Sequence, residues 1–247
     1  MVRSIVGQSL DHDPDFRWRG EAVTRIENLS DIVFALALGM LISGVDTPRN
    51  LTELNSFLFS IIPTAAGFAV LLGLWHAHYT FFRRYGVADQ RIIILNAVLI
   101  FVILFMAYPL RFGFDSLYGV IISSLTGDFS RNVDMGIMSF ADSGTVVGYF
   151  AVSYAAVFAI LALMLGHVLR NKDQLKLNAY ELAKTHQLRF ARWGECLVAM
   201  LVAIISLMTP LYSIGSSLYI LLFLPFIIAR RLYPAIRTEL PPSKSYL

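Results

Sequence analysis

Long uncharged runs separated by short polar clusters dominate the pattern of this chain. The first run, from Ile32 to Val45, contains no charged residue, and small residues alternate in it with large aliphatic ones. Counted from Ile26, this segment would extend about 30 Å as a helix, close to the thickness of the hydrocarbon core of a bilayer. The same pattern predicts six transmembrane helices, at about residues 26–45, 54–82, 91–110, 145–169, 193–212 and 215–233.

The polar segments define the remaining organisation. Residues 1–25 and 234–247 are predicted tails on either side of a six-span domain at 26–233. The longest connection is 111–143, and its apolar piece Leu117 to Leu125 is too short to cross a membrane. We expect that piece to lie at the interface or to re-enter. The basic stretch 170–192 is expected to form a helix on the membrane surface.

The composition agrees with a membrane protein. Of the 247 residues, 57% are hydrophobic and 15% are charged, a balance that a water-soluble domain could not solvate. The sequence therefore predicts an all-α membrane protein. A single cysteine, Cys196, excludes a disulfide framework within the chain and a multi-cysteine metal site. The first 25 residues are too polar for a signal peptide.

Lysine and arginine are distributed very unevenly between the two sides of the predicted bundle. Of 20 such residues, 17 lie in the N-terminal tail, the 83–91 loop, the 170–192 stretch and the C-terminal end. By the positive-inside rule, both termini are then cytoplasmic, which requires an even number of spans. We expect a multi-pass protein of the cell membrane in contact with membrane lipids. Topology explains the basic 170–192 stretch without a nucleic-acid partner.

A helical wheel divides the first predicted span into two faces. Leu36, Met40 and Ser43 fall within about 60° of one another and form one stripe. Asp31 lies about 140° from Leu36, and Ser30 about 120° away on the other side. If the Leu36 stripe faces a symmetry axis, Ser30 and Asp31 point into the helix bundle.

An aspartate one turn inside an apolar helix is costly unless it has a partner, so it marks a candidate functional site. Later spans supply residues that can form hydrogen bonds in a buried site. The alternative is that Ser30 and Asp31 only cap the first helix. The predicted polar network consists of Arg25, Ser30, Asp31, Trp75, His78 and Asn96.

These residues carry a resemblance to a known family. Arg25-x-x-x-Leu29-Ser30-Asp31 resembles the R-x-x-x-F-S-D motif of the transmembrane protein 175 family, the endolysosomal potassium channels and their prokaryotic homologues. Trp75 and His78 match the W-x-x-H of its second span, and Asn96 matches an asparagine in its third. The chain departs from the family pattern at Leu29, where phenylalanine is usual, and at Gly39, where threonine is often found.

The resemblance implies a potassium channel, selective over sodium, with potassium as the permeant ion and with neither a cofactor nor an enzymatic activity. Its pore would be lined by the first span of each subunit, with a hydrophobic gate at Leu36 and with Met40 and Ser43 further along. Because the chain has one copy of the motif, the resemblance implies a homotetramer.

Two other functions would use the same polar residues. A proton-coupled secondary transporter could use Asp31, His78 and Asn96 as a relay. The sequence argues against a transporter because it has neither inverted repeats nor a second acid deep in a span. An intramembrane metalloenzyme is excluded because His76 and His78 diverge by about 200° on a helix and cannot share one ion.

Overall fold

A computed structural model describes residues 13, 15–20, 22–42, 48–128, 130, 136, 139–209 and 218–234. This part of the chain is helical, with no β-strand. A 3₁₀ helix at Leu218–Phe223 precedes the last α-helix. The α-helices are α1 (Arg25–Met40), α2 (Leu51–Phe59), α3 (Ile61–Tyr85), α4 (Gln90–Thr126), α5 (Phe140–Arg170), α6 (Ala179–Met208) and α7 (Leu224–Leu232).

Helix α1 begins at Arg25, whereas a cap at Ser30 or Asp31 would place its start after those residues. Thr24 is its N-cap, and the Thr24 N–H donates to Glu27 Oε1 at 2.9 Å in a capping box. Ser30 and Asp31 therefore lie inside the helix, and the capping interpretation of these two residues is wrong. Their side chains are available for contacts with other helices.

Helix α4 is much longer than the span predicted at 91–110. It has 37 residues and continues through Pro109 to Thr126, about 55 Å in all. The prediction of a loop from residue 111 is therefore wrong for 111–126, and Leu117 to Leu125 belong to this helix. Proline removes one backbone hydrogen bond, but the apolar pattern on both sides favours continued helix.

Helix α6 also joins two elements that the sequence predicted separately. The expected surface helix within 170–192 and the fifth span form one helix, capped by Asn178. Its capping box pairs the Asn178 N–H with Glu181 Oε2 at 3.0 Å. No proline interrupts the helix before Met208. Residue 193, the predicted start of the fifth span, therefore lies inside a helix and does not separate two helices.

Four helical stretches in the described part are long and apolar enough to cross a membrane. They match the second to fifth predicted spans, and they are Glu53–Tyr85, Gln90–Ala107, Gly144–Arg170 and Ala179–Met208. Helix α1 has 16 residues, and residues 43–47 after it lie outside the described residues. The predicted sixth span is described only from residue 218, as the 3₁₀ helix and the nine-residue α7.

The helices form two groups that meet along α4 and α5. Helices α1, α3 and α4 pack together. Helix α5 packs along α6, and α7 also packs against α6. The continuous core runs through both groups and includes fully buried Leu71, Leu99 and Met164.

The N-terminal segment 15–20 is packed rather than a free tail. Phe16 is buried with its ring edge against Tyr85, at 5.5 Å between ring centroids. The Arg83 carbonyl accepts from the N–H groups of Arg19 and Gly20, each at 3.0 Å. A Cβ on Gly20 would lie 2.3 Å from the Phe82 carbonyl oxygen, so this approach needs glycine.

Arginine 19 connects this segment to α6. Its guanidinium forms an ion pair with Glu181 at 2.6 Å and donates to the Leu175 carbonyl at 2.8 Å. The Arg17 N–H also donates to Glu181, at 2.9 Å. The segment thus links the end of α3 to the start of α6.

Candidate functional site

Helix α1 buries one face and leaves the other uncovered in the isolated chain. Phe34 and Ala37 are buried against α3 and α4, and Leu38 packs partly against the core. On the opposite side, Ile32 is 66% exposed and Leu36 is 54% exposed. A helix fixed along one face while large aliphatic side chains stay uncovered on the other presents a surface for further packing.

Two of the three predicted stripe residues, Leu36 and Met40, lie in the described part of the chain, and they differ in exposure. Leu36 is on the uncovered face, and Met40, one turn further on, is partly exposed. Ser43 lies outside the described residues. Gly39 is also on the uncovered face, and a Cβ there would meet nothing within 4 Å.

Three predicted network residues form one buried hydrogen-bonded chain across α1, α3 and α4. The Asn96 Nδ2 donates to Ser30 Oγ at 2.9 Å, and Ser30 Oγ donates to the Ile26 carbonyl at 2.8 Å. The Asn96 Oδ1 faces His78 Nε2 at 2.8 Å. Because the amide oxygen can only accept, His78 carries its proton on Nε2. All three side chains are fully or almost fully buried.

A second contact joins two more of the predicted residues. The Trp75 Nε1 donates to Asp31 Oδ1 at 2.9 Å. This pair lies at the uncovered edge of α1, where Asp31 is exposed and Trp75 is half-buried. Trp75 also stacks on Tyr79, with 5.5 Å between ring centroids. Asp31 and Trp75 are therefore in contact with each other, but they are not part of the Ser30–Asn96–His78 chain.

Arg25 takes no part in either contact. Its side chain is exposed and forms no hydrogen bond or ion pair with the other residues that the structure describes. The arginine that reaches into the first turn of α1 is Arg83, from the end of α3. Its Nη2 forms a buried ion pair with Glu27 Oε2.

The Arg83–Glu27 pair is well supported by neighbouring groups. The Arg83 Nη1 donates to the Gly20 carbonyl at 2.6 Å, and the Thr24 hydroxyl donates to Glu27 Oε1 at 2.8 Å. Both charged side chains are 9% exposed. Neither Glu27 nor Arg83 belongs to the predicted network, although the Thr24-x-x-Glu27 pattern is the signature of a capping box and places Glu27 in the first turn of α1.

Arginine 111 supports the other end of α1. Its Nη1 donates to the Leu41 carbonyl at 3.1 Å, and its Nε lies 3.5 Å from Asp115. The last carbonyls of a helix have no partner within the helix, so this contact fixes the end of α1. The sequence predicted residue 111 to lie in the 111–143 connection, so this contact was not expected.

Helix α6 contains a buried acid, Glu195, that is not among the predicted site residues. Glu195 lies inside the predicted fifth span, is 9% exposed and pairs with Arg192 at 2.8 Å. The predicted fifth span therefore contains an acid, two positions from its start. No group of three or more His, Cys, Asp or Glu side chains in the described part could hold a metal ion.

An acid–base contact joins the two helix groups at the end where α4 begins. Asp89 caps α4 through the Ile92 N–H at 3.0 Å, and His167 Nε2 of α5 lies 2.5 Å from Asp89 Oδ2. Partial burial opposes ionisation of Asp89, but the Ile92 N–H, His167 and Arg91 together lower the pKa of its carboxyl. Asp89 is therefore ionised at neutral pH.

We expect the loss of Asn96 to destabilise the protein more than the loss of Asp31. Asn96→Ala removes the partner of buried His78, and an unpaired buried polar group costs about 1–3 kcal/mol in addition to the cavity left behind. Asp31→Ala frees the Trp75 N–H at a position that is exposed in the isolated chain, which costs about 0.5–1.5 kcal/mol. Thermal unfolding of the purified variants measures the difference. Equal losses for the two variants would contradict it.

The fold and the site define the class of this protein. A bundle of apolar helices, long enough to cross a membrane and joined by buried polar contacts, is an integral membrane protein. Comparison with known proteins gives the family. Residues 25–106 match the family described as "Endosomal/lysosomal potassium channel TMEM175".

Relatives match over most of the chain. A potassium channel of Marivirga tractuosa is 33% identical over 212 residues, which cover 85% of each chain. The crystal structure of a threonine-to-alanine variant of the potassium channel MtTMEM175, in complex with a nanobody–MBP fusion, superposes with a TM-score of 0.77 at 32% identity. That match covers 89% of this chain and 97% of the other.

A more distant structure shares the fold. It is a lysosomal potassium-selective channel TMEM175 homologue from Chamaesiphon minutus, at 17% identity and a TM-score of 0.52, covering 83% of this chain and 96% of that one. From the extended match to the Marivirga tractuosa relative, the chain belongs to the TMEM175 potassium channel family. The family predicted from the motif residues is thereby confirmed.

Proposed function

We propose that this protein is a homotetrameric potassium channel whose pore is lined by α1 of each subunit. The main support is the uncovered face of α1, where Leu36 is exposed. Buried side chains on the opposite face hold the helix in place. Four copies of that face around an axis would cover the exposed aliphatic side chains and enclose a narrow apolar path. The relatives named as potassium channels support conduction of potassium.

Leu36 would form the constriction, with Met40 and Ser43 further along the pore. Gly39, one turn beyond Leu36, adds no side chain to the path, so the ring of leucines would be the narrowest point. Water is unstable in a ring of aliphatic groups, and such a ring can close a pore by dewetting. Leu36 is thus assigned as a hydrophobic gate.

Selectivity would be modest. A leucine side chain cannot replace the water ligands of an ion, whereas a ring of carbonyl oxygens can. Discrimination between potassium and sodium must then come from the width of the pore and from partial dehydration. We therefore expect weaker selectivity over sodium than in channels with carbonyl filters.

The polar contacts of α1 would have a structural role. Ser30, Asn96 and His78 hold the buried side of α1 to α3 and α4, and Asp31 with Trp75 holds its edge. Fixing the rotation of α1 keeps Leu36 directed at the axis. From the distribution of lysine and arginine, we place the protein in the cell membrane with both termini in the cytoplasm.

Purified protein in planar bilayers tests this function. With potassium on one side and sodium on the other, we expect unitary currents and a reversal potential that favours potassium moderately. Native mass spectrometry of the same preparation should give four times the mass of the 27.7 kDa chain. Slow, saturable flux without unitary steps would indicate a carrier, and a stable monomer or dimer would contradict the tetramer.

A further inference from the structure

The end of α1 differs from the ends of α3 and α4. Gly86 and Gly127 follow those two helices with φ of 61° and 77°, the left-handed conformation in which the last carbonyls of a helix find backbone donors. Leu41, which follows α1, has the backbone angles of a right-handed helix instead. The carbonyl group at this end of α1 therefore needs a donor from a neighbouring helix.

Arg111 of α4 supplies a donor to that carbonyl. Its Nη1 lies 3.1 Å from the Leu41 oxygen, and its Nε lies 3.5 Å from Asp115, one turn further along α4. Leu41 is fully buried, and the Arg111 side chain is only 20% exposed. A charged group in an apolar helix is costly unless it is paired, so an arginine at this position marks a candidate functional residue.

Helix α1 is thus attached to α4 on both sides of Leu36. Before Leu36, Asn96 donates to Ser30, and after it, Arg111 donates to the Leu41 carbonyl. The two attachment points are 11 residues apart on α1, about 16 Å along a helix. Loss of the second contact would leave the first one in place, so it would affect the part of α1 beyond Leu36 most.

The residues on either side of Leu41 lie towards the uncovered face of α1. Ile42 is 59% exposed, and Met40 is partly exposed. A shift of the Leu41 backbone moves both neighbours because they are joined to it directly. In the proposed tetramer, this part of α1 lines the path beyond the Leu36 ring.

We propose that Arg111 is a positioning residue of the pore, which holds the last turn of α1 so that the path beyond the Leu36 ring stays open. This inference rests on the proposed function. Arg111 would act through Leu41 without touching the ion, since it bonds to α1 from the α4 side. Its positive charge alone would repel potassium, so charge and positioning have opposite effects on the current.

Single-channel recording of Arg111→Met tests this role. We expect the unitary potassium current to fall by up to about fivefold, the change that one lost hydrogen bond produces in a two-state equilibrium. The potassium-to-sodium ratio should not change, because the Leu36 ring remains. A loss of folded protein would lower the number of channels but not the current through each one.

Two further variants separate position from charge. Arg111→Lys keeps a cationic donor on a side chain of similar length and should restore most of the unitary current. Arg91→Met removes an exposed cation from the same helix and should leave the unitary current unchanged. An unchanged or larger current in Arg111→Met would overturn the proposal.

A distance measurement tests the attachment without conduction. Spin labels at Met40→Cys and Ile121→Cys, in a Cys196→Ala background, report the place of the α1 end relative to α4. Ile121 is 49% exposed and lies about 15 Å beyond Arg111 along α4. Labelled subunits are diluted among unlabelled ones, so that each distance lies within one chain. Adding Arg111→Met should broaden the distribution of distances.

A second labelled pair provides the control for this measurement. Val23→Cys and Arg91→Cys lie at the other ends of α1 and α4, and their distances should not respond to Arg111→Met. Unchanged distances between positions 40 and 121 would overturn the proposal. Wild-type protein without unitary currents would overturn the channel function and with it the pore role of Arg111, whereas broadened distances would still support the attachment.

Discussion

Replacing Leu36 by alanine is expected to increase the potassium current and to reduce discrimination against sodium. The substitution removes three carbon atoms from each side chain and would widen a ring of four leucines, so that water and ions enter more readily. A barrier lowered by about 1 kcal/mol raises the rate of passage about fivefold. Single-channel recording and bi-ionic reversal potentials measure both effects.

Leu38 provides the matched control for this change. It lies about 200° from Leu36 on α1 and packs partly against the core. Leu38→Ala should therefore destabilise the protein by about 1–3 kcal/mol with little effect on permeation. The assignment of the constriction fails if Leu36→Ala leaves conductance and selectivity unchanged, or if Leu38→Ala alters them more.

Loss of Arg83 is expected to give the largest decrease in stability. Arg83→Ala leaves Glu27 buried without its cation, and breaking a buried ion pair from one side costs about 3–5 kcal/mol. It also removes the donor to the Gly20 carbonyl. Thermal unfolding in detergent should show a lower melting temperature together with a smaller fraction of assembled protein.

Two further variants test whether the stability loss comes from breaking the Arg83–Glu27 pair or from removing a positive charge. Glu27→Gln/Arg83→Gln removes both charges and should recover much of the stability lost in Arg83→Ala, since no ion remains uncompensated. Arg91→Ala removes an exposed arginine nearby and should change stability by no more than about 0.5 kcal/mol. A loss for Arg91→Ala as large as for Arg83→Ala would refute the specific role of the pair.

The sequence predicted part of the site because buried polar groups in an apolar helix need partners. Ser30, His78 and Asn96 are polar residues in otherwise hydrophobic runs, so few partners were possible and the structure joins all three. Arg25 was predicted to belong to the same network. In the described chain its side chain is exposed instead.

The Glu27–Arg83 pair was missed for a physical reason. Charged residues at the ends of spans are expected in any membrane protein because the interface solvates them. The sequence alone therefore does not distinguish an arginine in water from one that is buried against an acid 56 positions away. Folding of residues 15–20 over the end of α3 is what removes this pair from solvent.

The lengths of α4 and α6 were missed because the usual signals for helix ends are weak here. Pro109 commonly ends a helix in water, but a segment in or near lipid keeps its remaining backbone hydrogen bonds within the helix. In α6, the change from polar to apolar residues near Trp193 has the pattern of a boundary between two elements. It is a change of environment along one helix.

The order in which these contacts can form follows from their separation in sequence. Arg19 bonds to Glu181, 162 residues later, and Asn96 bonds to Ser30 across 66 residues. At a synthesis rate of about 5–20 residues per second, Glu181 is made roughly 8–30 seconds after Arg19. During that interval the N-terminal segment is already made but lacks its partner on α6. In the proposed tetramer, subunits whose association requires this contact would therefore assemble only after the chain is complete.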